Sequence, residues 1–178
     1  MPDTYKNTVL ITGAAKRIGK AIALGMAADG WRVVLHYGTS KKEAEALAQS
    51  INDRGGEAVT VQADLNDEMQ ASDLIPRAVE MTGPISCLIN NASLFDEDSA
   101  ETTTLESWNA HMQVNLRSPF VLTQSFMEQL PDGLEGNVVN VVDQRVWNLT
   151  PHFLTYTLSK AGLWTLTQTL AMALAPNV

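Results

Sequence analysis

The sequence predicts an α/β protein: a parallel β-sheet covered by helices on both faces. Short apolar runs rich in valine and isoleucine alternate with longer stretches at helical spacing, and strands that alternate with helices pair in parallel. The apolar runs are continuous rather than alternating in polarity, as in strands buried on both faces. A glycine-bearing turn, TGAAKRIG from Thr12 to Gly19, follows the first apolar run directly.

NTVLIT, residues 7–12, reads as the first strand. A helix over 17–29 follows, with Ile18, Ala21, Ile22, Gly25 and Met26 on one face. WRVVLHY, 31–37, is the second strand. The second helix spans 40–54, with Ser40 as its N-cap and Gly55 and Gly56 ending it. EAVTVQA is the third strand, and 66–82 the third helix, where an interior proline, Pro76, predicts a kink. PISCLIN is the fourth strand, and one long helix is expected over 105–130. GNVVNVV is the fifth strand, with Val138, Val139, Val141 and Val142 read as buried, and 153–174 is the last helix. No repeat or linker interrupts the chain, so residues 1–178 read as a single domain.

Composition narrows the function. The net charge of −8 disfavours nucleic acid or an anionic membrane as main partner. No apolar run approaches the roughly 18 residues of a membrane span, and MPDTYKNTVLIT lacks the order of a secretory leader. The one cysteine, Cys87, can form no internal disulfide and no cysteine-based metal site, and no metal-ligand spacing is visible. A cytoplasmic protein acting on a small molecule is the expectation.

The turn between first strand and first helix is built for a phosphate. Gly13 permits the sharp bend, Gly19 lets the helix approach the sheet, and the helix N-terminus offers N–H groups to a pyrophosphate. This makes the sheet a doubly wound, Rossmann-type one with three αβα layers. Such a sheet has at least a sixth strand, so the final strand or strands are expected beyond Val178. The second strand ends in LHYGTSKK without the acid that holds a ribose 2′-hydroxyl. His36, Ser40, Lys41 and Lys42, with Arg17 in the turn, instead suit a 2′-phosphate and hence NADP(H).

The last helix opens YTLSK, which places Tyr156 and Lys160 on one face. An ammonium beside a phenol is expected to lower its pKa toward working pH and make it a general acid/base. Asn115 is a candidate to fix a water or a backbone group. His111 and His152 read as structural, and Trp108, Trp147 and Trp164 as core or interface, with pocket wall a further reading for Trp147.

Together these motifs resemble the short-chain dehydrogenase/reductase family over essentially the whole chain. TGAAKRIG, with Thr12, Gly13, Ile18 and Gly19, matches its cofactor turn. Asp64 and Leu65 in VQADL match its adenine-contacting segment, and Asn91, Ala92 and Ser93 in NNAS the segment lining the cofactor. Asn115, Tyr156 and Lys160 match three of four catalytic positions. Two departures stand out: Arg17 replaces a glycine of the turn, and Asp143 replaces the usual serine. Both resemble the pteridine reductase branch, as do His36–Tyr37 and Phe95, which in that branch stacks on the pterin. An arginine often found near position 39 is absent, since Gly38 and Thr39 stand there.

The resemblance implies a homotetramer and a pterin-like C=N as substrate. Arg17, Ser93, Phe95, Asp143 and Tyr156 would meet that substrate, with Tyr156 as proton donor. A carboxylate only accepts hydrogen bonds, so Asp143 fits a nitrogen-rich ring better than a simple ketone. Two other readings stay open: a reductase of another carbonyl or alcohol, similar to 3-oxoacyl reductases, and an inactive NADP-binding interaction protein.

Overall fold

The computed structural model describes residues 7–178. The leader reading rests partly on residues 1–6, which lie outside the described residues. Five strands, β1 (Thr8–Ile11), β2 (Arg32–Tyr37), β3 (Glu57–Gln62), β4 (Cys87–Asn90) and β5 (Asn137–Asn140), form one sheet in the order β3-β2-β1-β4-β5. Every pairing is parallel. The helices are α1 (Arg17–Ala28), α2 (Lys41–Asn52), α3 (Glu68–Thr82), α4 (Leu105–Met112), α5 (Ser118–Glu128) and α6 (Leu154–Leu174).

Strand alternation explains the layers. Leu10 and Val34 point to one face, where Leu74 and Ile75 of α3 and Leu122 and Phe126 of α5 cover them. Val9, Ile11, Val33 and Leu35 point to the other, beneath Ala23 of α1 and Leu47 and Ile51 of α2. β1 is buried along its whole length, as its unbroken apolar run predicts. Strand order reverses between β1 and β4, and ligands of doubly wound sheets bind outside the carboxyl ends at such a point.

Local chemistry sets the helix ends. α2 stops in paired bonds, Gly56 N–H to Ile51 O at 3.1 Å and Gly55 N–H to Asn52 O at 3.0 Å, with Gly55 left-handed at φ 82. Ser40 does stand at the N-cap of α2, but its hydroxyl makes no cap bond. Asp67 caps α3 by accepting from Met69 and Gln70 N–H, and α3 continues through Pro76.

Two expectations change. The helix over 105–130 is three pieces, α4 and α5 being joined by a π-helical segment, Gln113–Arg117. Pro119 has no N–H for the Asn115 carbonyl one turn back, so the α-helical ladder cannot run through this point. β5 is less buried than its valines imply: among the described residues it pairs with β4 alone, which leaves Val139 43% exposed. Asn140, the polar break in that run, accepts from Asn90 Nδ2 at 2.8 Å and donates to Thr167 Oγ1 at 2.9 Å, tying β4, β5 and α6 together.

Candidate active site

Beyond β1 the chain turns tightly and starts α1. Gly13 is left-handed at φ 62, and a methyl there would lie 3.0 Å from Ala92 Cα. At Gly19 a methyl would lie 2.3 Å from the Gly13 carbonyl oxygen. Gly19→Ala is therefore expected to cost about 3 kcal/mol, read as a lower urea midpoint; an unchanged midpoint would refute the close approach. Arg17 is also left-handed, at φ 52. A side chain in that region costs about 1–2 kcal/mol, and Arg17 holds its cation exposed at the crevice mouth. Thr12 Oγ1 accepts from Asn91 and Ala92 N–H, each at 2.9 Å, so the turn and the segment after β4 form one unit.

His36 has a different task from the one its charge predicts. It is 2% exposed; Nδ1 accepts Gly13 N–H at 3.1 Å, and Nε2 faces Ala63 O at 3.0 Å. Burial lowers its pKa to about 4, so the ring is a neutral strut behind the turn, not a cation for a phosphate. Tyr37 is buried beside Ala15 and Ala44. The Leu65 side chain belongs to the core, and its carbonyl accepts from Ser118 Oγ at 2.7 Å. Asp64, exposed after β3, accepts Asn66 N–H on Oδ1 at 2.9 Å. Lys41 and Lys42 are exposed at the start of α2, and Lys16 pairs with Glu43 at 2.8 Å.

Asn115 is fully buried in the π-helical segment. Its Oδ1 accepts from Leu94 N–H at 2.8 Å and Ser93 Oγ at 3.1 Å. Its Nδ2 donates to Leu94 O and Ser159 Oγ, both at 3.0 Å. It thus fixes a backbone group, one of the two tasks expected of it, and joins the loop after β4 to α6.

Asp143 lies just past β5, before a short 3₁₀ turn, Gln144–Val146. Its side chain is 27% exposed, less desolvated than the apolar run implied, and each of its oxygens has a partner. Oδ1 accepts Arg145 N–H at 2.9 Å and lies 3.6 Å from the guanidinium. Oδ2 accepts the Tyr156 hydroxyl at 3.0 Å. The expected lowering of the Tyr156 pKa by Lys160 is not seen: burial, then the Asp143 carboxylate, push the phenol pKa well above its usual 10. Lys160 Nζ is engaged elsewhere, donating to Val141 O at 2.8 Å and lying 5.9 Å from the phenol ring centre. Lys160 is itself 2% exposed, and burial lowers its pKa to about 8. Tyr156 is therefore held as a phenol, able to give a proton rather than take one.

These groups meet in a crevice of about 470 Å³ at the carboxyl ends of β1 and β4. It brings together Gly13, Arg17, Ile18, Gly19, Asn91, Ala92, Ser93, Phe95, Asp143, Tyr156 and Lys160. Lys16, Val141 and Val142 complete its wall, while Thr12, Asn115, His36, Tyr37 and Leu65 act from behind it or lie outside it. Phe95 is half exposed, with one face stacked on Phe153 at 4.4 Å and an edge-to-face contact with Tyr156 at 4.7 Å. Arg145 and Phe153 were not among the sequence candidates. The Arg145 guanidinium lies 4.7 Å from the Phe153 ring centre and 5.3 Å from that of Phe95. The signal for Arg145 was its place two residues after Asp143; nothing in the sequence pairs Phe153 with Phe95. Trp147 is 67% exposed against Trp164, not core, and His152 makes an exposed pair with Glu97 at 3.5 Å.

A parallel doubly wound sheet with a glycine turn at its first crossover, and a buried Tyr/Lys helix beside it, defines a dinucleotide-binding oxidoreductase fold. A family model described as short chain dehydrogenase matches residues 7–178. An uncharacterized oxidoreductase of Methylorubrum extorquens is 34% identical over 168 residues, 94% of this chain and 67% of the relative. The 3-oxoacyl-(acyl-carrier-protein) reductase of Synechocystis sp. is 32% identical over 93% of this chain and 67% of its own length. Among solved structures, FolM alternative dihydrofolate reductase 1 of Brucella canis, complexed with NADP, is 47% identical with a TM-score of 0.92, covering 96% of this chain and 68% of that one. The chain belongs to the short-chain dehydrogenase family, and it spans about two thirds of the length of these relatives.

Proposed function

We propose that this protein is an NADPH-dependent reductase that delivers hydride to the carbon of a pterin-like C=N bond. The observation that carries this reading is the Asp143 carboxylate hydrogen-bonded to the Tyr156 phenol, where a serine would suit a ketone. The 47% identity to a dihydrofolate reductase complexed with NADP supports it. The turn fits a dinucleotide phosphate: the N-terminus of α1 carries no side-chain cap, and Lys16 and Arg17 stand beside it. The nicotinamide, when bound, supplies the hydride. Arg17, Ser40, Lys41 and Lys42 would answer the 2′-phosphate, Asp64 the adenine, and Lys160 the nicotinamide ribose.

The residues of the chain account for the proton. Arg145 and the Tyr156 hydroxyl fix the orientation of the Asp143 carboxylate, whose remaining lone pairs accept N–H groups of a nitrogen-rich ring. Phe95, half exposed in the crevice, would pack against that ring. As hydride reaches carbon, the adjacent nitrogen takes a proton from Tyr156, relayed by Asp143. One hydride and one proton reduce one C=N to CH–NH.

The test is dihydrobiopterin or dihydrofolate reduction with NADPH, beside a 3-oxoacyl thioester, by the protein and its Asp143→Ser variant. The expected result is pterin turnover that falls about 100-fold in the variant, the scale of a lost acid/base partner. Thioester reduction without pterin reduction would replace this substrate class by the 3-oxoacyl reading, which the Synechocystis relative supports.

A further inference from the structure

We propose that Asp98 is a positioning residue that holds Tyr156 and Phe95 in register across the crevice; this deepens the proposed function, in which Tyr156 gives the proton. The N-cap of α6 is Phe153, left-handed at φ 60, and its side chain makes no cap bond. Asp98, in the loop after β4, supplies the whole cap. Its main-chain oxygen accepts Phe153 N–H at 2.7 Å and Leu154 N–H at 3.4 Å. Its carboxylate accepts Thr155 N–H at 3.1 Å and Thr155 Oγ–H at 2.5 Å. Thr155 is the residue before Tyr156.

His111 of α4 braces the same point. Its Nε2 accepts Asp96 N–H at 3.2 Å, which leaves the ring proton on Nδ1, 2.9 Å from both Ser107 O and Thr155 Oγ1. Asp98, His111 and Thr155 are 5%, 1% and 0% exposed. A buried carboxylate is costly unless paired. Burial pushes Asp98 up, but the hydroxyls of Thr155 and Thr103 and the Thr155 N–H outweigh it and hold the acid below its usual range.

The consequence is geometric. Residues 93–98 carry Ser93 and Phe95 and are clamped at both ends: Asn115 grips Leu94, and Asp98 and His111 grip the far end. The bonds that begin α6 are therefore the bonds that set Phe95 4.7 Å from the Tyr156 ring. A helix cap borrowed from the substrate-facing loop makes loop and proton donor one rigid body.

The test compares Asp98→Asn, Thr155→Val and Thr155→Ser, reading kcat, KM, NADPH affinity and thermal midpoint. Asp98→Asn and Thr155→Val are expected to lower kcat about 10- to 100-fold, as small misplacements of reacting groups do, with NADPH affinity changed less than about twofold. Thr155→Ser keeps the hydroxyl and should stay within about threefold of the parent. A lower thermal midpoint with unchanged kcat in Thr155→Val, or a Thr155→Ser variant as slow as Thr155→Val, overturns the proposal. The Thr155 pair answers even if Asp98→Asn does not fold. Because the proton from Tyr156 is needed whatever the acceptor, a kcat loss is also expected with a small dicarbonyl acceptor. Loss there without pterin turnover in the parent would support Asp98 while refuting the pterin reading.

Discussion

Tyr156→Phe is expected to lower kcat by about 10²–10⁴-fold, the range for removing a positioned general acid, while NADPH binding stays within a few-fold. The phenol is 6% exposed, and its hydroxyl is committed to Asp143 at 3.0 Å. Burial and that carboxylate both raise its pKa, so it keeps its proton across the working range and delivers it only when a stronger base forms beside it. The replacement keeps the ring against Phe95 and removes only the proton. Stopped-flow NADPH oxidation beside a nucleotide titration separates the effects. Loss of both would point to a folding defect, and unchanged turnover would refute Tyr156 as the proton donor.

Lys160→Met is expected to stabilise the protein at pH 7 while disabling it. The ordinary lysine pKa of 10.5 falls to about 8 here because the ammonium is buried. Between those values the unfolded chain binds more protons than the folded one, so stability rises with pH in that window. Below pH 8 the full cost of burying the charge, about 3 kcal/mol, is present. Methionine escapes that cost but loses the bond to Val141 O, worth about 1 kcal/mol. The expected gain is about 1–2 kcal/mol at pH 7, vanishing near pH 10. Urea unfolding at both pH values checks it, and a Lys160→Met protein less stable than the parent at pH 7 would refute it. A group that costs stability where it stands fits the placement of Lys160 in the proposed site.

The fold was legible because each element carries its own period. Every strand read from the sequence is present, as is every helix but the long one over 105–130, and the glycines of the phosphate turn are where close approach demands them. The errors lie where neighbours decide. Val139 is as hydrophobic as Val9, yet among the described residues one is 43% exposed and the other fully buried, since β5 pairs there with β4 alone. The long helix broke at the carbonyl that Pro119 cannot meet. His36 was read as a charge beside a phosphate, but its ring is sealed between β1 and β3, where only the neutral form is tolerated.

The sequence by itself determined the class of fold, the turn, and the placing of Tyr156 and Lys160 on one helix face, because turn glycines and helical spacing act over a few residues; Phe95 and Asp143 stood out by family resemblance. Only the tertiary structure decided what those residues are electrically. Lys160 was expected to acidify Tyr156; burial and Asp143 instead hold the phenol protonated, and Lys160 turns to Val141. Asp98, which no motif or spacing singles out, is the cap of α6. Desolvation and partners distant in the chain set such properties, and neither is written in local spacing.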